Sequence, residues 1–237
     1  MIRTYLLNRN ELEKIKYTPD IFSKRRNDGI ETMQPEKGKE LAAAAELALI
    51  YALKKEMPEI SLPLDITENE QGKPEIKGLD KLYFNLSHSG DWAVCSVSDS
   101  PIGVDIEYVK GGALPNVEKI LHPYEVETFA FITNPMEKQK YFFECWTAKE
   151  SYLKNLGIGL RIKPTEFYVD GDRLEVSGGH KLKKRYVHIY KSEEIKGTDW
   201  KFGANYRMSV CSMKKDPDSK AGIITADDVN GVLEGAL

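Results

Sequence analysis

Residues 36–57 restrict the fold more than any other stretch. They form an Ala- and Leu-rich run that ends in Lys54-Lys55-Glu56 and is stopped by Pro58. Ala and Leu are strong helix formers, terminal lysines complement the carbonyl end of a helix, and proline cannot continue one. The run predicts one long helix, around which the rest of the chain must arrange itself. Its apolar centre, residues 41–53, is interrupted by Glu46 and is too short to span a membrane. No apolar signal segment follows Met1. The expectation is a cytoplasmic protein with no membrane partner.

Strand signals follow the helix. After a turn-rich stretch with Gly72, Pro74 and Gly78 come residues 82–86, a polar turn at 87–91, an alternating segment at 92–97, a turn at 98–101 and a run at 102–109. These predict three strands in an antiparallel meander. The second half repeats the order loosely, with a helix over 137–156, a turn at Gly157 and Gly159, and strands near 166–169, 174–176, 186–190 and 206–213. Ala93-Val94-Cys95-Ser96-Val97 is echoed by Ser209-Val210-Cys211-Ser212-Met213, at an offset close to half the chain. The predicted architecture is α+β: two similar lobes related by a pseudo-twofold, each a helix packed on a small, mainly antiparallel sheet. The N-terminal lobe is expected over 1–110 and the C-terminal lobe over 111–237. Residues 214–222 read as loop, and the tail from 223 adds a last short element that packs back on the body.

Charge narrows the partners. Thirty-four Lys and Arg against 37 Asp and Glu leave a net charge of −3, so no global positive field exists to hold nucleic acid, and any anion must be bound locally. Three cysteines, Cys95, Cys145 and Cys211, make an odd count without a Cys-x-x-Cys pair. They read as reduced, buried packing residues rather than a disulfide framework or zinc site.

Two segments hold the acids and bases of interest. Gly103-Val104-Asp105-Ile106-Glu107 puts two carboxylates at i and i+2 of a strand, on one face, with Val104 and Ile106 opposite. Taken alone this is a solvated strand face; with a cation between the acids it is half of a magnesium site. Along the helix of residues 137–156, Phe142, Cys145, Trp146, Lys149, Tyr152, Leu153 and Leu156 share one apolar side. Glu150 and Lys154 lie on its flank, while Glu144 and Asn155 face away. Glu150 and Lys154 alone are an ordinary i, i+4 ion pair. Lys149, inside the stripe, must snorkel or meet a carboxylate. Ser87-His88-Ser89-Gly90 could gather hydroxyls and an imidazole around a phosphate, or simply cap a turn. Lys73 and the Lys24-Arg25-Arg26 cluster are further local cations. His122, His180 and His188 have no ligand spacing, and no Walker or Gly-x-Gly-x-x-Gly loop is present.

In order along the chain, Gln71-Gly72-Lys73-Pro74, Phe84-Asn85-Leu86-Ser87-His88-Ser89-Gly90, Gly103-Val104-Asp105-Ile106-Glu107 and Trp146-Thr147-Ala148-Lys149-Glu150-Ser151-Tyr152-Leu153-Lys154 resemble the Sfp-type 4'-phosphopantetheinyl transferases. The resemblance implies two lobes with coenzyme A and Mg²⁺ in the cleft between them. It implies Asp105, Glu107 and Glu150 as metal ligands. Ser87 and His88 would hold the coenzyme A phosphates, Lys73 would be a cationic contact, and Lys154 would reach the pyrophosphate. Lys24 and Lys39 are the candidates for the 3'-phosphate and adenosine side. The implied reaction moves 4'-phosphopantetheine from coenzyme A to a serine of an apo carrier protein, with Glu150 also taking the serine proton and adenosine 3',5'-bisphosphate released. A monomer suffices, and residues 111–131 are the expected carrier-binding loop. The alternatives are a metal-dependent nucleotide phosphohydrolase, told apart by free phosphate as product, and a carrier-binding module without turnover.

Overall fold

The computed structural model describes residues 1–68, 72–79, 81–114, 116–158, 161–170, 173–176, 184–197, 203–215 and 220–234. The calls that involve Gln71, Gly159 and His180 lie outside them. Two long helices and two five-stranded sheets form four layers. Helix α2 (Glu36–Glu56) covers the first sheet and α5 (Pro135–Leu156) covers the second. The first sheet orders β10 (Ile195–Lys196), β12 (Lys220–Ile224), β1 (Ile2–Asn8), β5 (Trp92–Ser98) and β4 (Tyr83–Ser89). The second orders β6 (Ile102–Tyr108), β11 (Tyr206–Ser212), β9 (Tyr186–Tyr190), β8 (Arg173–Val176) and β7 (Phe167–Asp170). A hairpin of β2 (Ile66–Glu68) and β3 (Pro74–Ile76) stands apart.

Alternation along the strands explains the layering. Leu7, Ala93, Cys95 and Val97 point to α2, whereas Leu6, Val94 and Trp92 join Val104, Ile106, Met208 and Val210 in a core between the sheets. On the far side Cys211 meets Ala148, Tyr152 and Leu153 of α5. All three cysteines are buried and unpaired. Helix α2 matches the expected run, and Leu41 through Leu53 are buried without a break, as suits a helix enclosed on every side. Glu46 survives there because Arg26 Nε donates to it at 2.7 Å. Helix α5 starts where Asn134 Oδ1 accepts the N–H groups of Met136 and Glu137, and stops at Gly157, whose φ of +68° ends it in the left-handed region.

The antiparallel meander expected over 82–109 is only a hairpin. Strand β4 pairs β5 through a two-residue turn, Gly90-Asp91, but β6 crosses to the second sheet and pairs β11. Alternation reports which residues are buried, not which strand lies alongside. The chain therefore changes sheets ahead of β6, before residue 110. Strand β1 was not foreseen; it joins β5 antiparallel and β12 parallel. The tail returns to the N-terminal half: β12 completes the first sheet, and Val229 and Leu233 of α6 (Ala226–Glu234) pack in the core under α2. Residues 111–131 are not a loop throughout, since α3 (Val117–Ile120) and α4 (Pro123–Phe131) occupy much of them. Pro123 at the first turn and the His122–Glu125 capping box begin α4. Among the described residues no helix is long and apolar enough to cross a membrane.

Candidate active site at the junction of the two sheets

Strand β6 is the edge of the second sheet, and its outward N–H groups need partners. Side chains of β4 supply them. Asn85 Oδ1 accepts from Val104 N at 2.8 Å, Ser87 Oγ from Ile106 N at 3.4 Å and Ser89 Oγ from Tyr108 N at 3.0 Å. Period-two spacing on both strands makes these three rungs repeat, and they tie the first sheet to the second.

The same hydroxyls then donate to the acids. Ser87 Oγ donates to Asp105 Oδ1 at 2.9 Å and Ser89 Oγ to Glu107 Oε2 at 2.9 Å. From α5, Lys154 Nζ donates to Asp105 Oδ1 at 2.6 Å, Ser87 Oγ at 3.0 Å and Val104 O at 3.2 Å. Trp146 Nε1 donates to Glu107 Oε1 at 3.4 Å. Lys154 is thus not the i, i+4 partner of Glu150. It reaches across to β6, and Glu150 makes no ion pair among the described residues. Gly103 permits this proximity: a Cβ there would lie 2.5 Å from Asn155 N and closer still to Ser151 O.

Electrostatics mark the three acids as one group. Burial pushes the Asp105 carboxyl above its ordinary range, with Lys154 and Ser87 pulling against it. Glu107 is raised first by burial and then by Asp105; Glu150 is raised first by burial, then by Asp105, with Glu107 adding a smaller push. Asp105 Oδ2 is buried with no hydrogen-bond partner. An orphaned carboxylate oxygen amid mutually repelling acids is what a hard cation relieves. Among the described residues, however, no three His, Cys, Asp or Glu side chains already stand close enough together to hold a metal.

Residues 101–211, which contain both acid-bearing elements, match the sequence profile of the 4'-phosphopantetheinyl transferase superfamily. The 4'-phosphopantetheinyl transferase psf-1 of Bacillus pumilus is 31% identical over 173 residues, covering 71% of this chain and 70% of that protein. The chain belongs to the 4'-phosphopantetheinyl transferase superfamily. A 4'-phosphopantetheinyl transferase of Bacillus subtilis is 33% identical over 152 residues, 62% of each chain. The transferase gsp of Aneurinibacillus migulanus is 32% identical over 148 residues, 62% of this chain and 57% of that one. The chain thus spans only about three-fifths of the length of these last two relatives.

The remaining residues expected from the transferase resemblance are spread around this junction. His88 lies in β4 rather than in a turn, exposed on the strand face opposite Ser87. Although the residue is exposed overall, partial desolvation of its ring by neighbouring protein atoms lowers its pKa, and the charges of Lys154 and Arg26 lower it further. Lys73 Nζ donates to Ile102 O at 3.1 Å and Lys154 O at 3.0 Å, bracing the start of β6 against the carbonyl end of α5; burial lowers its pKa. Lys24 is exposed at the start of α1 (Lys24–Glu31), and Lys39 pairs with Glu36 at 3.3 Å. Arg25 and Arg26 are engaged by Glu68 and Glu46. They line a cavity of about 180 Å³ with Ser23, Phe84 and Leu86. Two side chains of α5 correct the helical-wheel reading. Asn155, placed on the outer face by angle, is buried and donates to Pro101 O and Cys211 O. Lys149 is fully buried and meets Glu125 Oε2 at 2.5 Å, with Ile120 O and Pro164 O as further acceptors. Sequence reasoning missed the grip of Ser89 and Trp146 on Glu107 and the role of Asn85. The Asn-x-Ser-x-Ser alternation was the available signal.

Proposed function

We propose that the protein transfers the 4'-phosphopantetheine group of coenzyme A to a serine hydroxyl of an apo carrier protein. The observation that carries this reading is the convergence of Asp105, Glu107 and Lys154 at the sheet junction, with Asp105 Oδ2 left without a partner and Glu150 electrostatically coupled to both acids. Asp105, Glu107 and Glu150 would hold Mg²⁺, which when bound supplies a Lewis acid for a phosphate oxygen. The hard carboxylate donor set suits that ion.

The chain's own groups account for the rest. Lys154 is anchored by three oxygen acceptors and supplies a fixed positive charge beside the pyrophosphate, where negative charge grows as the phosphoanhydride P–O bond breaks. Glu150, half-buried and raised in pKa, accepts the serine proton as the serine oxygen bonds to phosphorus. The products are a phosphopantetheinyl carrier and adenosine 3',5'-bisphosphate. His88, Lys24 and Lys39 face the phosphate and adenosine end of coenzyme A, and Lys73 holds the strand and helix ends that frame it. The carrier docks on residues 111–131, where Tyr124 and Phe131 are 58% and 87% exposed. The active unit is read as a monomer.

The test is direct. Incubation with an apo carrier, coenzyme A and Mg²⁺ should give, by intact-mass spectrometry, a carrier heavier by one phosphopantetheine group. An unmodified carrier with free phosphate released would refute the reading in favour of a phosphohydrolase.

A further inference from the structure

Glu107 is held in a way that Asp105 is not. Asp105 bonds an ammonium through Oδ1 and leaves Oδ2 bare. Both oxygens of Glu107 instead meet neutral donors: Oε2 the hydroxyl of Ser89 on β4, and Oε1 the indole N–H of Trp146 on α5. The Ser89 hydroxyl is itself fixed, because its oxygen also accepts from Tyr108 N at 3.0 Å. That contact leaves the hydroxyl proton aimed at the carboxylate. Glu107 sits on the edge strand of the second sheet, so its long side chain has several rotamers to choose from. Two donors from two different layers select one. Each neutral donor uses one lone pair of its oxygen and leaves the carboxylate charge intact for a cation.

We propose that Ser89 is a positioning residue, with Trp146 as its counterpart, fixing the Glu107 carboxylate in its cation-binding orientation before the cation arrives. The inference rests on the proposed Mg²⁺ role of Glu107 and goes beyond it by assigning the hydroxyl that orients the ligand. Groups that orient metal ligands typically change affinity by 10–100-fold when removed, while leaving the ligand in place.

The experiment titrates MgCl₂ into the intact protein with coenzyme A present and no carrier, and reads tryptophan fluorescence. Trp146 touches Glu107, so cation binding changes its environment; Trp92 is buried in the core between the sheets. Trp92→Phe and Trp200→Phe variants that keep the signal assign it to Trp146, the remaining tryptophan of the chain. Ser89→Ala should raise the half-saturating Mg²⁺ concentration at least about tenfold, with a modest fall in melting temperature because the Tyr108 N–H loses its acceptor. Ser89→Thr, which restores the hydroxyl on a strand-compatible residue, should recover the wild-type value. Equal Mg²⁺ affinity in wild type and Ser89→Ala would overturn the positioning role while leaving the metal site standing. No Mg²⁺-dependent signal or binding in wild type would overturn both.

Discussion

Gly103→Ala tests how closely helix and strand must approach for the site to exist. In the structure an added methyl would lie 2.5 Å from the Asn155 backbone nitrogen and closer to the Ser151 carbonyl oxygen. Ordinary contact begins near 3.4 Å, so α5 must retreat from β6 by at least about 1 Å, and by more at the Ser151 carbonyl. The neighbours are backbone atoms of a packed helix, which cannot swing aside as a side-chain tip would. Overpacking of this kind costs about 2 kcal/mol, which for a chain of this size lowers Tm by roughly 4–8 °C. The effect on function should be larger than the effect on folding. Glu150 and Lys154 ride on α5 while Asp105 and Glu107 ride on β6, and a 1 Å misplacement of reacting groups costs on the order of 100-fold in rate. The assay is carrier modification followed by intact mass, beside a thermal melt. Gly38→Ala serves as the control, since nothing lies within 4 Å of a methyl there, and it should keep both activity and Tm at least at wild-type values. Wild-type rate and an unshifted Tm in Gly103→Ala would refute the argument that this glycine sets the geometry of the site.

Other expectations follow from the same structure. Raised carboxyls bind protons more tightly in the folded chain than in the unfolded one, so ionising Asp105, Glu107 and Glu150 costs stability as pH rises from the ordinary carboxylate range through their raised values. Cation affinity should run the other way, falling as pH drops through that window; a pH series of Mg²⁺ titrations checks it, and a flat profile would contradict it. Glu150→Gln removes one of those ionisations, so without Mg²⁺ its Tm at neutral pH should equal or exceed that of wild type while transfer falls at least about 100-fold; near-normal transfer with intact pH dependence would exclude Glu150 as base. Glu125→Gln strips the buried Lys149 ammonium of its only carboxylate among the described residues and should cost about 3–5 kcal/mol in denaturant unfolding; a loss below about 1 kcal/mol would contradict a charged pair. Excess chelator should abolish transfer, and added Mg²⁺ should restore it.

What could be read from sequence divides along physical lines. Helix α2 and the strands at 186–190 and 206–213 were legible because composition and periodicity report local burial. The partner of β6 was not legible, since Ile102, Val104 and Ile106 are buried equally well against either sheet. Helix α4 hid in a stretch of moderate polarity, with His122 as an uncommon N-cap. Lys149 was correctly required to find a carboxylate, but Glu125 lies on a different helix, and no local pattern could name it. The acids of β6 were visible as a pair on one face. The bond from Lys154 to Asp105 was masked by the nearer i, i+4 option with Glu150. A helical wheel also cannot see that β11 and Pro101 wrap around the far side of α5, and so it left Asn155 facing solvent.

The central claim is that acids from β6 and α5 bind one divalent ion beside the diphosphate of coenzyme A. Anomalous scattering from crystals grown with Mn²⁺ and coenzyme A measures this without reference to turnover. The account predicts a single strong peak bounded by the carboxylates of Asp105, Glu107 and Glu150, with diphosphate oxygens and Lys154 beside it. A diphosphate bound elsewhere, or a metal peak that leaves Asp105 Oδ2 without a ligand, would contradict it.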